Sequence, residues 1–75
     1  MEHMRQIQWT PERIKRLRKA FGESQEEFCR RFRIGLGTLR FWEQGRSSPT
    51  GPATIILDQL NEQVGAVQAE ELQPA

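Results

Sequence analysis

Residues 24–45 read Ser-Gln-Glu-Glu-Phe-Cys-Arg-Arg-Phe-Arg-Ile-Gly-Leu-Gly-Thr-Leu-Arg-Phe-Trp-Glu-Gln-Gly. The stretch predicts two short helices that meet at a tight turn. Ser24 with Glu27 three residues on is a capping box, in which each side chain satisfies the other residue's backbone N–H and so starts a helix. Phe28 and Phe32 lie one turn apart on the side to be buried, with Arg30 and Arg31 pointing away. Ile34-Gly35 opens the turn. A further helix is expected from about 36 to 43, stopping at Gly45. Its inward residues are Leu39 and Trp42, three apart. Arg40 and Phe41 lie off that line, so at least one of them is exposed. Two helices that cross closely need a small side chain at the crossing, and Cys29, four residues after Gln25, supplies it as a packed thiol rather than a reactive one.

Working outward, the segment before the pair begins a helix of its own. Thr10 can cap the first amides, Pro11 suits the first helical position, and Glu12 meets the positive end of the helix dipole. Trp9 and Ile14 have the spacing of a hydrophobic staple. Ile14, Leu17 and Phe21 should face inward and Arg13, Lys15, Arg16 and Lys19 outward, with Gly22 ending the helix. After the pair, Arg46-Ser47-Ser48-Pro49-Thr50-Gly51-Pro52 is turn material. A fourth helix then carries Ile55, Ile56, Leu57 and Leu60, an apolar face wider than one small core needs. Residues from Asn61 onward either extend it or form a weak fifth helix on Val64, Val67 and Leu72, and Gly65 argues against one long rod. The expected organisation is a loose tail over 1–8, a helical domain over 9–61, and a tail or short helix over 62–75 that serves as a dimerisation segment.

Seventy-five residues make one small domain, which hides only about 60% of its unfolded surface, so a partner subunit would help. There is no apolar run long enough to span a membrane as a helix, and the opening residues lack the apolar stretch expected of a secretory signal, with Met1 and Met4 leaving the natural start open. One cysteine and one histidine make neither an internal disulfide nor a metal site, which fits a reducing, cytoplasmic setting with no metal and no cofactor. The formal charge of +1 hides a division: residues 1–46 hold all eleven Lys and Arg with six acids, whereas residues 47–75 hold Asp58, Glu62, Glu70 and Glu71 with no base. A basic working half and an acidic tail is one reading, and ordinary solvated helix faces are the other. No nucleophile–base pair, metal set or phosphate loop is present, so an enzyme is not expected.

A hairpin of helices of this kind is a device for laying its second member in the major groove of DNA. Gln25, Cys29, Ile34, Thr38, Leu39, Trp42, Glu43 and Gly45, followed by Arg46 and the Pro-Thr-Gly-Pro run, resemble the helix-turn-helix family of phage Cro and repressor proteins, the xenobiotic-response-element class. Over 37–45 and 49–52 the chain is similar to antitoxin-type regulators of that family. The resemblance covers about residues 11–60 and implies an all-α, four- to five-helix, lambda-repressor-like domain. Arg33 stands where the family usually has glycine, and Phe41 where it often has a polar residue.

The resemblance implies that Leu36, Gly37, Arg40 and Phe41 meet base edges. Arginine can donate two parallel hydrogen bonds to guanine, and an aromatic ring can touch thymine methyl groups. Arg40 could instead form a surface ion pair with Glu43 or Glu26, and Phe41 could fold back on the core. Gly37 permits close backbone approach. Gln25 corresponds to the family residue that touches a phosphate and braces the reading helix, or it is only a polar first-turn residue. Thr38, Gln44, Arg46 and Ser47 would hold phosphates, which fix register without reading sequence. Glu43 is expected to pair with an arginine of the first or second helix. The implied partners are operator DNA and a second copy of the chain, paired through Ile56, Leu60, Val64 and Val67 so that two half-sites lie about 34 Å apart. The function implied is autorepression at a palindromic operator. The alternatives are an antitoxin that also holds a toxin, and a protein-interaction module that kept the fold without binding DNA.

Overall fold

The computed structural model describes residues 7–67. Four helices follow one another, α1 (Pro11–Ala20), α2 (Gln25–Phe32), α3 (Leu36–Gln44) and α4 (Pro52–Val64), with no strand among the described residues. The start signals act as the sequence implies. Thr10 accepts from the Arg13 amide at 3.3 Å, and Trp9 and Ile14 are both buried beside it. The Ser24 hydroxyl accepts from the Glu27 amide at 3.1 Å while Glu27 accepts from the Ser24 amide at 2.9 Å, completing the capping box. At the far end of α2, Arg33 adopts the left-handed conformation (φ 59°, ψ 44°), which costs a residue with a Cβ about 1–2 kcal/mol.

Helix α3 packs against both α1 and α2, and α4 packs against α1. Ile14, Leu17, Phe28, Leu39 and Leu57 are wholly enclosed between them, with Trp9, Cys29, Trp42, Leu60 and Val67 completing the core. Burying each large apolar side chain contributes about 1.5–3 kcal/mol. Phe21 lies at the margin, in edge-on contact with Phe32 and tilted against Phe28, with centroids 5.1 and 6.0 Å away. Arg31 lies on the exposed side, as expected, with its side chain 56% exposed. Its guanidinium also lies near the Phe21 and Phe32 rings, at 5.7 and 5.5 Å from their centres, and pairs with Glu23 at 2.6 Å.

The two ends of the described chain close onto this core. Residues 1–6 of the expected loose tail lie outside the described residues, but Ile7 packs on the core and the Gln8 carbonyl accepts from Arg13 Nη1 at 2.9 Å. The Trp9 indole donates to Asp58 Oδ1 at 2.8 Å, which fastens the lead-in to α4. Gly65 (φ 62°) ends α4 in a conformation that suits a residue without a Cβ. The chain then folds back, and Asn61 clasps Val67 through two bonds, Nδ2 to the carbonyl at 2.8 Å and Oδ1 from the amide at 2.9 Å. No fifth helix occurs among the described residues, and Leu72, expected in it, lies outside them.

This fold-back corrects the expected pairing surface. Leu60 and Val67 are 6% and 3% exposed because they complete the protomer's own core, so neither is available to a second copy. Ile56 at 40%, the adjacent Ile55 at 56%, and half-buried Val64 form the apolar surface that α4 leaves open.

Candidate nucleic-acid interface

Helix α3 is divided lengthwise. Leu39, Trp42 and Glu43 are buried, while Gly37, Thr38, Arg40, Phe41 and Gln44 are exposed. Leu36, expected to meet bases, is half-buried against the core and offers only part of its side chain. At the start of α3, Gly35 gives no side-chain cap and the first turn carries no acid, so the positive end of the dipole faces solvent without a local counter-charge. A Cβ built at Gly37 would meet nothing within 4 Å, so internal packing does not require glycine there.

The helix stops at Gly45, whose left-handed φ of 77° turns the chain sharply and brings the Arg46 amide to 2.8 Å from the Phe41 carbonyl. The turn also folds the Arg46 side chain back, its guanidinium 5.3 Å from the centre of the Phe41 ring. Phe41 is 47% exposed, which decides between its two expected placements: the ring faces outward, under a cation, and not into the core. Ser47, next along the turn, is also exposed.

On the buried side Glu43 accepts three hydrogen bonds from two neighbours. Arg18 of α1 grips its carboxylate with two bonds, Nε to Oε2 at 2.8 Å and Nη2 to Oε1 at 3.1 Å. Gln25 of α2 donates from Nε2 to Oε1 at 3.0 Å. The hydrogen bond to Glu43 raises the Arg18 pKa, so the guanidinium keeps its charge despite partial burial. Glu43 thus pairs with an arginine of the first helix, as the sequence allowed, and Arg18 is the member that sequence reading did not single out. Its position was available as a signal, since it follows Leu17 and lies one turn beyond Ile14, at the edge of the apolar face.

Arg40 reaches across to the start of α2. Its Nε lies 3.4 Å from Gln25 Oε1 and its Nη2 3.9 Å from Glu26 Oε2. Both are long contacts in a side chain that stays 47% exposed, and such a pair contributes only about 0–1 kcal/mol. At the helix crossing, Cys29 is buried with its Sγ 3.7 Å from the Gly35 carbonyl oxygen. Burial pushes its thiol pKa up, which keeps it protonated and suits a packing role.

The structure therefore brings Gln25 to Arg40 and Arg46 to Phe41, and leaves Gly37, Thr38, Gln44 and Ser47 open on α3 and the turn that follows it. A helix-turn-helix family model matches residues 14–55, more than half of the chain and the whole of α2 and α3. The chain belongs to the Cro/C1-type helix-turn-helix family. No curated protein and no solved structure matches it. Membership fixes the architecture as an all-α, lambda-repressor-like domain and places the chain among DNA-binding regulators. No described helix is long and apolar enough to cross a membrane.

Proposed function

We propose that this chain is a sequence-specific regulator that binds double-stranded DNA as a homodimer and represses transcription by occupying a palindromic operator. The observation that carries the reading is the division of α3, in which a buried edge of Leu39, Trp42 and Glu43 holds an exposed edge of Gly37, Arg40 and Phe41 away from the body. A helix held in that way can enter a major groove with its side chains toward base edges. Arg40 reads guanine, Phe41 and the open part of Leu36 touch thymine methyl groups, and Gly37 lets the backbone come close. Thr38, Gln44, Arg46 and Ser47 hold phosphates, and Gln25 adds one with the Nε2 hydrogen that points away from Glu43.

A single unit of this size reads few base pairs, so pairing through Ile56 and Ile55, with Val64 at the margin, supplies the second half-site. A toxin as a further partner rests on the likeness to antitoxin-type regulators alone.

Fluorescence anisotropy with a random-sequence duplex over a range of salt is the first test. Weak binding that falls steeply with salt is expected. Selection from a randomised duplex pool should then return a two-fold symmetric site. A complete absence of binding at low salt would instead identify the domain as a protein-interaction module.

A further inference from the structure

In the major groove, hydrogen bonds tell pyrimidines apart at ring position 4, where thymine carries an accepting oxygen and cytosine a donating amine. Only a polar side chain can make that distinction. The phenyl ring of Phe41, standing where the family often has a polar residue, offers that edge neither a donor nor an acceptor. What it can meet is a methyl group at position 5. The geometry leaves room for one. Phe41 is 47% exposed even with the Arg46 guanidinium over its ring, 5.3 Å from the centre. One turn earlier on the same face of α3, Gly37 has no side chain, and a Cβ built there would meet nothing within 4 Å. Arg40 and Arg46, both exposed, set two positive charges beside the ring and draw the phosphate backbone toward it. The position thus joins attraction for a duplex to an apolar opening that admits a methyl group and is blind to the rest of the pyrimidine edge.

We propose that α3 reads the C5-methyl group itself through Phe41, whichever pyrimidine carries it, so that the chain responds to 5-methylcytosine in its operator as well as to thymine. The inference rests on the proposed DNA-reading role of α3. It goes beyond the thymine contact by naming the chemical mark that is sensed and a means of regulation. Methylating an operator cytosine at that position tightens binding while every hydrogen-bonding atom of the base pair stays as it was. A cytosine-C5 methyltransferase is then the class of enzyme that sets occupancy of the operator.

Selection from a randomised duplex pool, with the native chain and with Phe41→Ala, locates the base pair at which Phe41 contributes. Phe41 takes no part in the core, so the variant should keep its fold. Versions of the selected duplex then carry thymine, uracil, 5-methylcytosine or cytosine at that position. Fluorescence anisotropy compares thymine with uracil and 5-methylcytosine with cytosine. Enclosing one methyl group should tighten binding about fourfold per half-site in each comparison, and Phe41→Ala should bring both ratios to one. A native ratio of one in either comparison, with the operator still bound specifically, would overturn methyl sensing and leave the groove-reading role of α3 standing. Ratios unchanged in Phe41→Ala would also overturn it and place the contact on Leu36. If no operator is selected, or Phe41→Ala shifts no position, the reading role of Phe41 fails and the proposal fails with it.

A second measurement needs no variant. The methyl protons of thymine or 5-methylcytosine at that position should move upfield when the native protein binds, because they lie against an aromatic ring. Methyl protons that do not move upfield in the bound duplex would overturn the contact directly.

Discussion

Removing the Glu43 carboxylate probes the interior on which α3 rests. Glu43→Ala takes away two bonds to Arg18 and one to Gln25, and leaves a guanidinium only 14% exposed without its counter-charge. Breaking a buried ion pair by deleting one partner costs about 3–5 kcal/mol, most of it from the stranded charge. Stability of about 0.05–0.15 kcal/mol per residue gives a domain of this length roughly 4–11 kcal/mol in all. The variant should therefore lose from about a quarter to all of the domain's stability, and reach its unfolding threshold if the native value lies at the lower end of that range. At about 4–8 °C per kcal/mol, its melting temperature should drop by more than 10 °C. Replacing both partners, Arg18→Met with Glu43→Leu, removes the stranded charge together with the pair and should recover most of the loss. Urea denaturation followed by tryptophan fluorescence and far-UV circular dichroism measures all three proteins. A Glu43→Ala loss below about 1 kcal/mol, or a double variant as unstable as the single, would refute the stranded-charge reasoning.

Other positions separate stability from recognition. Gly37→Ala should raise stability by up to about 1 kcal/mol, because the site is open and helical, yet weaken binding to the selected operator. Tighter or equal binding would show that the backbone does not approach DNA there. Arg33→Gly should stabilise by about 1 kcal/mol by relieving the left-handed strain; no gain in urea midpoint would mean that Arg33 has compensating contacts. Arg46→Ala should weaken specific and random DNA alike and reduce the salt slope by about 1, while an unchanged slope would place Arg46 off the phosphates. Cys29, buried with a raised pKa, should react with a disulfide reagent at pH 8 only as fast as the domain opens. Immediate labelling of the native protein would contradict its packing role.

Much of the fold was legible because local chemistry and burial agree. The Thr10 cap, the Trp9–Ile14 staple, the Ser24–Glu27 box and the stop at Gly45 are each decided within a few residues of chain. The division of α3 was equally visible in the three-residue spacing of Leu39 and Trp42. What could not be read were the contacts between distant segments. Asn61 clasping Val67, Trp9 donating to Asp58, and Arg18 rather than another arginine holding Glu43 depend on how helices pack, and no spacing encodes them. The same gap explains Leu60 and Val67. Their periodicity marked them as apolar, but only the turn at Gly65 decides that the apolar surface closes on its own core. Phe41 was undecidable for a related reason: its place off the buried line allowed either placement, and the Arg46 guanidinium over its ring comes from beyond the Gly45 turn.

Titrating isotope-labelled protein with a selected duplex, and mapping which amide and side-chain resonances move, tests the groove-reading role of α3 most directly. The largest changes should fall on Gly37, Thr38, Arg40 and Phe41, with smaller ones at Gln25, Gln44, Arg46 and Ser47, while Ile55 and Ile56 stay unperturbed by DNA itself. Changes centred on α4 or the outer face of α1, with the exposed edge of α3 silent, would contradict it.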